Sequence, residues 1–457
     1  MKVVVMICRI LVGSLFIVSG LIKANDAWGF FYKLQEYFEP GAFNMPAMDS
    51  IGLELAIFTC VAEILLGIAL LTGAKMKLTV VFSLFMMVFF TWLTGYTSLC
   101  DPHGTKEITN AAGEIEVIAN QCVLECGCFG NAIPLEPKES FMKDIIIMIF
   151  LLPISIWTFM GKVKLNEAKE DLIIFVGSLA VTAWFSMYML DWLFPVLFTA
   201  ISLLVATGIK KRFDHKHKEW FMAVGIVIVC GLFQYMTLNH LPMKDYRAYA
   251  VGENIRDNMK SAEEIGLQGP VLATPYDITN QITGKDSTIL SSDWLKVYNS
   301  DWFKTTYGEV TNYDNPSVVI EEGYEPSILD FQIVTYEGDD LTEEMLAFEG
   351  YSFWHVSNTL EKSHNCAQAD LNELAEKAQK AGHQFYGITN ALYEDAEEYR
   401  HKHQCLYPFY NCDQTELKIV VRSNPGLVML KDATVIKKWS WKDIPEWNDV
   451  KELMQSQ

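Results

Sequence analysis

Seven long apolar runs fill the first 240 residues, and they restrict the fold more than any other feature of the chain. They cover roughly 3–22, 52–73, 78–97, 144–160, 172–190, 193–209 and 220–240. Most reach the ~20 residues that carry a helix across ~30 Å of hydrocarbon at about 1.5 Å per residue. The runs at 144–160 and 193–209 are at the short limit. Seven spans are expected; six, with Asp191-Trp192 inside one re-entrant segment, is the alternative reading. The first run reads as a span and not a signal peptide. No convincing small-x-small cleavage site follows it, and Lys23 and Asp26 look like a span flank.

Charge divides the chain near Leu241. Of its 56 acidic and 36 basic residues, 20 and 17 precede Met243, whereas 36 and 19 follow Pro242. The first part is membrane-like and the second is an acidic soluble region. That acidity argues against nucleic acid or an anionic lipid surface as a partner. Lysine and arginine in short loops set the orientation. Lys75 and Lys77, then Lys162, Lys164 and Lys169, then Lys210, Lys211, Arg212, Lys216 and Lys218 fall on one side if the N-terminus is cytoplasmic. The loop 98–143 and everything after Pro242 then lie outside.

This topology sorts the cysteines. Cys8, Cys60 and Cys230 sit in spans and read as small apolar core residues. Cys100, Cys122, Cys126, Cys128, Cys366, Cys405 and Cys412 all face the outer side, which suits an oxidising compartment. The stretch "QCVLECGCFGN" concentrates three of them. Thiol–disulfide exchange needs two thiols in reach of each other and an accessible sulfur. Cys126-Gly127-Cys128 supplies the pair, and Gly127 and Gly130 permit the tight turn. So small a ring is strained, and strained disulfides are easier to reduce. Cys100 with Cys122 would be a second pair, passing electrons to the first or bracing the loop. Structural disulfides alone, or a four-cysteine zinc site, are competing readings. Cys-x-Cys departs from the usual zinc spacing, and no metal is assigned.

The membrane half also carries charge. Span one contains Arg9, and span two contains Glu54 and Glu63. Such groups usually face a partner or a cavity. Arg9 is about 9 Å from the inner end of span one and Glu63 about 15 Å from that end of span two, so the two are expected to meet. They would form an ion pair that locks the bundle, or a polar anchor for a quinone headgroup or a proton path.

"RILVGSLFIVSGLIK", then "AEILLGIALLTG", then "CGCFG" before a further span resembles the MauE branch of the DoxX-like membrane proteins, over roughly residues 1–160. The resemblance implies a four-helix membrane bundle in a bacterial inner membrane. It also implies a role in maturing a disulfide-rich exported partner in the periplasm, with quinone-linked relatives. It points to Cys126 and Cys128 as the exchanging thiols. Residues 161–242, with three further spans, exceed that pattern.

After the membrane half, 243–324 is expected to be an irregular linker region with short strands, anchored by Trp294 and Trp302. From Ser327 the pattern sharpens. "ILDFQIVTYEGDDLTEEML" enters a helix capped by Thr342, "YSFWHVS" is a buried strand, and "QADLNELAEKAQKAG" a helix. A strand, a helix and two strands follow. This βαβα-ββ order resembles a thioredoxin-like domain of TlpA or peroxiredoxin type within 325–457. The resemblance implies a cis bond at Pro425 in "SNPGLVML". The Cys-x-x-Cys that such a domain carries after its first core strand is missing, and "NTLEKSHNC" stands there instead. Cys405 and Cys412, in "CLYPFYNC", span a short loop and read as a structural disulfide.

Two functions fit these features. One is an envelope thiol–disulfide oxidoreductase or electron relay, quinone-linked and acting on an exported partner protein. The other is a non-catalytic, membrane-anchored assembly or docking subunit.

Overall fold

The structure is a computed structural model describing residues 2–101, 104–109, 115–123, 127, 129–213, 216–313 and 317–456. Among the described residues seven helices are long and apolar enough to cross a membrane: Lys2–Asn25, Pro46–Thr72, Met76–Leu99, Pro137–Phe159, Ala168–Leu190, Phe194–Arg212 and Lys218–Asn239. Asp191 takes a left-handed turn (φ 45°) that separates the fifth from the sixth. The re-entrant alternative is therefore set aside.

The first two spans form the axis of the bundle, and glycine sets how near they come. A Cβ on Gly67 would lie 2.7 Å from the Gly13 carbonyl oxygen, and one on Gly20 would lie 2.8 Å from the Ile64 side chain. Only residues without a side chain tolerate backbones that close. Spans three and four pack on one side of the pair through Val12, Phe16, Leu66, Leu70, Val80 and Leu151. Spans five to seven pack on the other through Ile17, Ile64, Ile174, Phe198 and Ile226. The basic loops converge at one end, where Lys210 Nζ reaches the Asn166 carbonyl at 2.6 Å and the Asn166 N–H reaches Thr72 O at 3.1 Å.

At the opposite end the chain forms a helix that the apolar runs did not announce, Ala27–Phe38. Asp26 caps it by accepting the Gly29 N–H, and it buries Ala27, Phe30, Leu34, Tyr37 and Phe38. A hairpin, Thr105–Thr109 with Ile115–Ala119, rises from the loop after span three. Its base is closed by a Cys100–Cys122 disulfide with Cα atoms 5.7 Å apart.

The C-terminal domain is built on a five-stranded sheet. Its order is Phe409–Asn411, Gln384–Thr389, Tyr351–Ser357, Gly426–Lys431, Thr434–Ser440. The first three strands are parallel and the last two antiparallel. Alternation along Tyr351–Ser357 sends Trp354 and Val356 into one core and Phe353 into the other. Helix Gln368–Lys380 follows that strand, helix Tyr393–Lys402 follows the second, and the Asn424–Pro425 bond is cis. The fold class is a seven-span helical membrane bundle joined to an α/β thioredoxin-like domain.

Four expectations within this half change. The segment "CLYPFYNC" is not a disulfide loop: Cys405 and Cys412 are free and buried. The edge strand Phe409–Asn411 lies between them and sends them to opposite cores. Cys405 sits with Phe385 and Tyr399, and Cys412 with Phe331 and Leu417. The short strands expected after the membrane half are present, but over 275–312 they are ordered into a three-stranded antiparallel sheet over a small core of Ile278, Phe303 and Val310. Trp294 packs against Tyr276 and Tyr298 there, whereas Trp302 is largely exposed. Thr342 opens its helix without capping it, and its hydroxyl accepts the Ile333 N–H at 2.8 Å.

A buried charge network joins the two halves. Asp26 accepts from Arg422 Nε at 2.9 Å, and Asp245 bridges Arg247 (2.6 Å) and Lys438 (2.9 Å). Asn25 accepts the Met243 N–H and donates to the Lys244 carbonyl. Burial alone would raise the Asp245 carboxyl, but Arg247 and Lys438 outweigh it and hold the group well below the usual carboxylate range. A depressed folded-state pKa stabilises above the unfolded value of about 3.9, and the contribution fades as pH falls further. Asp245→Ala strands two buried cations and should cost about 3–5 kcal/mol. Thermal unfolding of the purified chain at neutral pH would show this, and the gap between wild type and variant should narrow below about pH 4.

Candidate functional site at the mouth of the bundle

Lys23 ends the polar stripe of span one. Its Nζ lies 2.6 Å from Glu63 Oε2 and 2.7 Å from Ser19 Oγ, and both charged side chains are buried. The ammonium also stands 5.2 Å from the Phe90 ring centre and 5.7 Å from that of Phe30. In apolar surroundings such a pair holds only if both charges are matched, and here the ammonium gains a hydroxyl and two ring faces.

A second buried carboxylate lies one turn further along span three. Asp144, near the start of span four, accepts from Thr94 Oγ1 at 3.0 Å and pairs with Lys143 at 2.9 Å. Lys143 Nζ in turn stands 5.1 Å from the Phe129 ring centre. Phe90 and Thr94 share a face of span three, so the two lysine–carboxylate pairs flank the same helix.

Two described residues of the cysteine loop, Gly127 and Phe129, lie near these pairs, through Phe30 and Lys143. Cys126 and Cys128 lie outside the described residues, but Gly127 between them and Phe129 beside them are placed. Gly127 has a left-handed backbone (φ 68°), and a Cβ there would lie 3.5 Å from the Lys33 side chain and 3.7 Å from that of Phe30. Phe129 packs with Val18, Ile22 and Phe185. Phe30, whose ring faces Lys23, is therefore also a neighbour of Gly127.

Arg9 and Glu63 do not meet. Arg9 donates to the Leu70 and Leu71 carbonyls at 2.8 and 3.0 Å and to Asn166 Oδ1 at 2.6 Å. It caps the last turn of span two, where free carbonyls concentrate negative charge. The register explains this. Gly20 faces Cys60 and Glu63, while Gly13 faces Leu71, so Glu63 lies level with residues 20–23 of span one and Arg9 about three to four turns away. The partner of Glu63 is Lys23, which had read as a flank. Lys23, Lys143 and Asp144 are the residues that sequence reasoning missed. The matched glycines were the signal that could have found the first.

In the thioredoxin-like domain, the segment after the strand Tyr351–Ser357 is held by amides and hydroxyls. Asn424, before the cis proline, donates to the Thr359 carbonyl and accepts from Ser357 Oγ, and its own carbonyl accepts the His364 N–H. Beneath it, Tyr407 links His355 and Gln368, and Tyr399 links Gln368 and Asn365. Burial pushes the His355 imidazole down to about 3, so it is neutral here. Cys366 is exposed, and burial raises both Cys405, to about 11, and Cys412, to about 12. Neither buried thiol is a ready nucleophile. Among the described residues no group of three or more metal-ligating side chains occurs.

This geometry defines a MauE-like membrane unit fused to a thioredoxin-like domain. Residues 1–103 match the family described as "Methylamine utilisation protein MauE". Over 176 residues the chain is 25% identical to "Protein TlpB" of Flavobacterium psychrophilum, covering 37% of this chain and 40% of that protein. The chain thus spans less than half the length of this curated relative. A solved structure from Bacteroides thetaiotaomicron, described as a candidate protein disulfide isomerase, aligns with 28% of this chain and 83% of its own. The identity is 14% and the TM-score 0.23. The thioredoxin-like assignment rests instead on strand order and helix placement.

The Lys23–Glu63 pair is testable without knowing a substrate. Lys23→Met leaves a buried carboxylate unmatched and should cost about 3–5 kcal/mol. Lys23→Met with Glu63→Leu should recover much of that, read as thermal unfolding in detergent. Equal losses in the single and double variants would mean the pair is not coupled.

Proposed function

We propose that the chain is a thiol–disulfide relay of the bacterial cell envelope, with Cys126 and Cys128 as the exchanging pair. The supporting observation is the seat of Gly127 on Lys33 and Phe30, the ring that also neighbours Lys23 of the buried Lys23–Glu63 pair. A relay of this kind moves two electrons: one loop thiolate attacks a partner disulfide, the second resolves the mixed disulfide, and the partner leaves as a dithiol. The reverse direction uses the same atoms. The Cys100–Cys122 bridge is read as the brace that holds the hairpin, and as a second pair only if it exchanges with the first.

A membrane quinone suits the two-electron end of such a relay. Glu63 and Lys23 fit the role of proton carrier beside it; Arg9 does not, since it is held at the other end of the seam by the Leu70 and Leu71 carbonyls and Asn166. The orientation with basic loops in the cytoplasm and the C-terminal domain in the periplasm follows from the charge rule. An exported protein is the partner class that this side offers.

The second reading, a non-catalytic assembly or docking subunit, draws on the thioredoxin-like domain. The segment between Ser357 and His364 carries no thiol and is tied to the cis-proline loop by hydrogen bonds. Under either reading that domain positions and does not exchange.

Trapping separates the two. Cys128→Ser, expressed in the native membrane, should accumulate a mixed disulfide with an exported protein, visible as a reducible high-mass band and mapped by mass spectrometry. The Cys126→Ser/Cys128→Ser variant should show none. If both variants give the same pattern as wild type, and the loop thiols label only after denaturation, the relay is wrong and the docking reading stands.

A further inference from the structure

A cavity of about 480 Å3 lies at the junction between the membrane unit and the thioredoxin-like domain. Trp28, Phe31 and Tyr32 form its membrane-unit wall, with Leu238 from the outer end of span seven. The opposite wall comes from the cis-proline loop, the segment after the first core strand, and Trp441. His364 stacks on Trp441 at 4.1 Å between ring centres.

Its charge is the reverse of its surroundings. The region after Pro242 holds 36 acidic against 19 basic residues. Yet the cavity is lined by Lys362, Lys418, Arg422 and one carboxylate, Asp49, which accepts from Gln35. Arg422 is matched by Asp26. Lys362 and Lys418 have no carboxylate within ion-pair distance among the described residues. Lys418 rests over the Tyr32 ring at 5.0 Å, and burial lowers its pKa despite the more distant Asp413 and Asp49. The fully buried cations of this junction, Arg247, Arg422 and Lys438, each have a carboxylate partner, whereas the half-buried Lys418 and the exposed Lys362 have none within ion-pair distance among the described residues and face the cavity.

We infer that this cavity binds the phosphate headgroup of an anionic phospholipid from the leaflet beneath the C-terminal domain. The two lysines would hold the phosphate, and Trp28, Phe31 and Leu238 would pack against the glycerol and the first methylenes. Position favours a lipid. The turn Pro46–Ile51, which contributes Asp49 and Ser50 to the wall, exposes Ile51, and Met45 beside it is exposed too. An extended peptide fits less well. The backbone it would pair with is occupied, since the Asn424 carbonyl already accepts from His364 and the Asn358 and Thr359 carbonyls accept from Gln414 and Asn424. This inference runs against the expectation drawn from overall acidity, and the binding experiment decides between them.

The test uses the full chain in mild detergent, titrated with short-chain phosphatidylglycerol or phosphatidylcholine. Tryptophan fluorescence (Trp28 and Trp441 line the site) and native mass spectrometry read the binding. Phosphatidylglycerol should bind in preference. One lysine near an anionic lipid is worth about fivefold in affinity, so Lys362→Gln with Lys418→Gln should weaken binding roughly 30-fold. Lys418→Arg should retain most of it, which separates lost charge from lost fold. Equal binding of the two lipids, or a double variant that binds as wild type does, overturns the inference. So does an equal response to inorganic phosphate, or displacement of the lipid by an acidic peptide.

Discussion

The close contact of the first two spans governs much of what surrounds it. Gly13, Gly20 and Gly67 remove the side chains that would hold the helices apart, and the register they fix sets every polar partner along the seam. At one end it delivers Arg9 to the last carbonyls of span two. At the other it delivers Lys23 to Glu63. A shift of one turn, about 5.4 Å, would leave an ammonium and a carboxylate unmatched in apolar surroundings. Packing and electrostatics therefore select the same register, and neither alone would be as selective.

The same seam supports the junction above it. Span one ends at Asn25, and the next residue, Asp26, caps the helix that roofs the Lys23–Glu63 pair. That one carboxylate accepts from Gly29 of the membrane unit and from Arg422 of the thioredoxin-like domain. The domain is thus tied to the bundle by charge at a site that the bundle's own helix cap creates. Tyr32, two turns on, stacks beneath both Arg422 and Lys418 and extends the contact.

How much of this could be read from the residues depended on whether the signal was local. Apolar length is local, and all seven spans were legible, although span four begins at Pro137, well before its most apolar part. Alternation and turn residues are local as well, and they gave the βαβα order and the strand Tyr351–Ser357. Pairing across the chain is not local. Depth counted from span ends placed Arg9 beside Glu63, because the ends of two helices need not lie at one level. Counting from matched glycines would have placed Lys23 there. Spacing along the chain similarly suggested Cys405 with Cys412, since six intervening residues make a plausible loop. A three-residue strand within those six was too short to register by periodicity, and it is what sends the thiols to opposite faces.

Thiol chemistry in this chain is separated by environment more than by sequence distance. Cys60 and Cys230 lie within the bundle core, Cys405 and Cys412 within the two cores of the sheet, and Cys100 with Cys122 is closed. Burial disfavours the thiolate at the sheet positions, so an oxidising compartment does not by itself make those cysteines reactive. The thioredoxin-like domain completes the separation. Where its fold would place a reactive pair, tyrosines and amides bond to one another, and the face turns toward the membrane unit. Cys366 is exposed. The exchange proposed for this chain is assigned instead to the cysteines on either side of Gly127, whose backbone packs against Lys33 and Phe30.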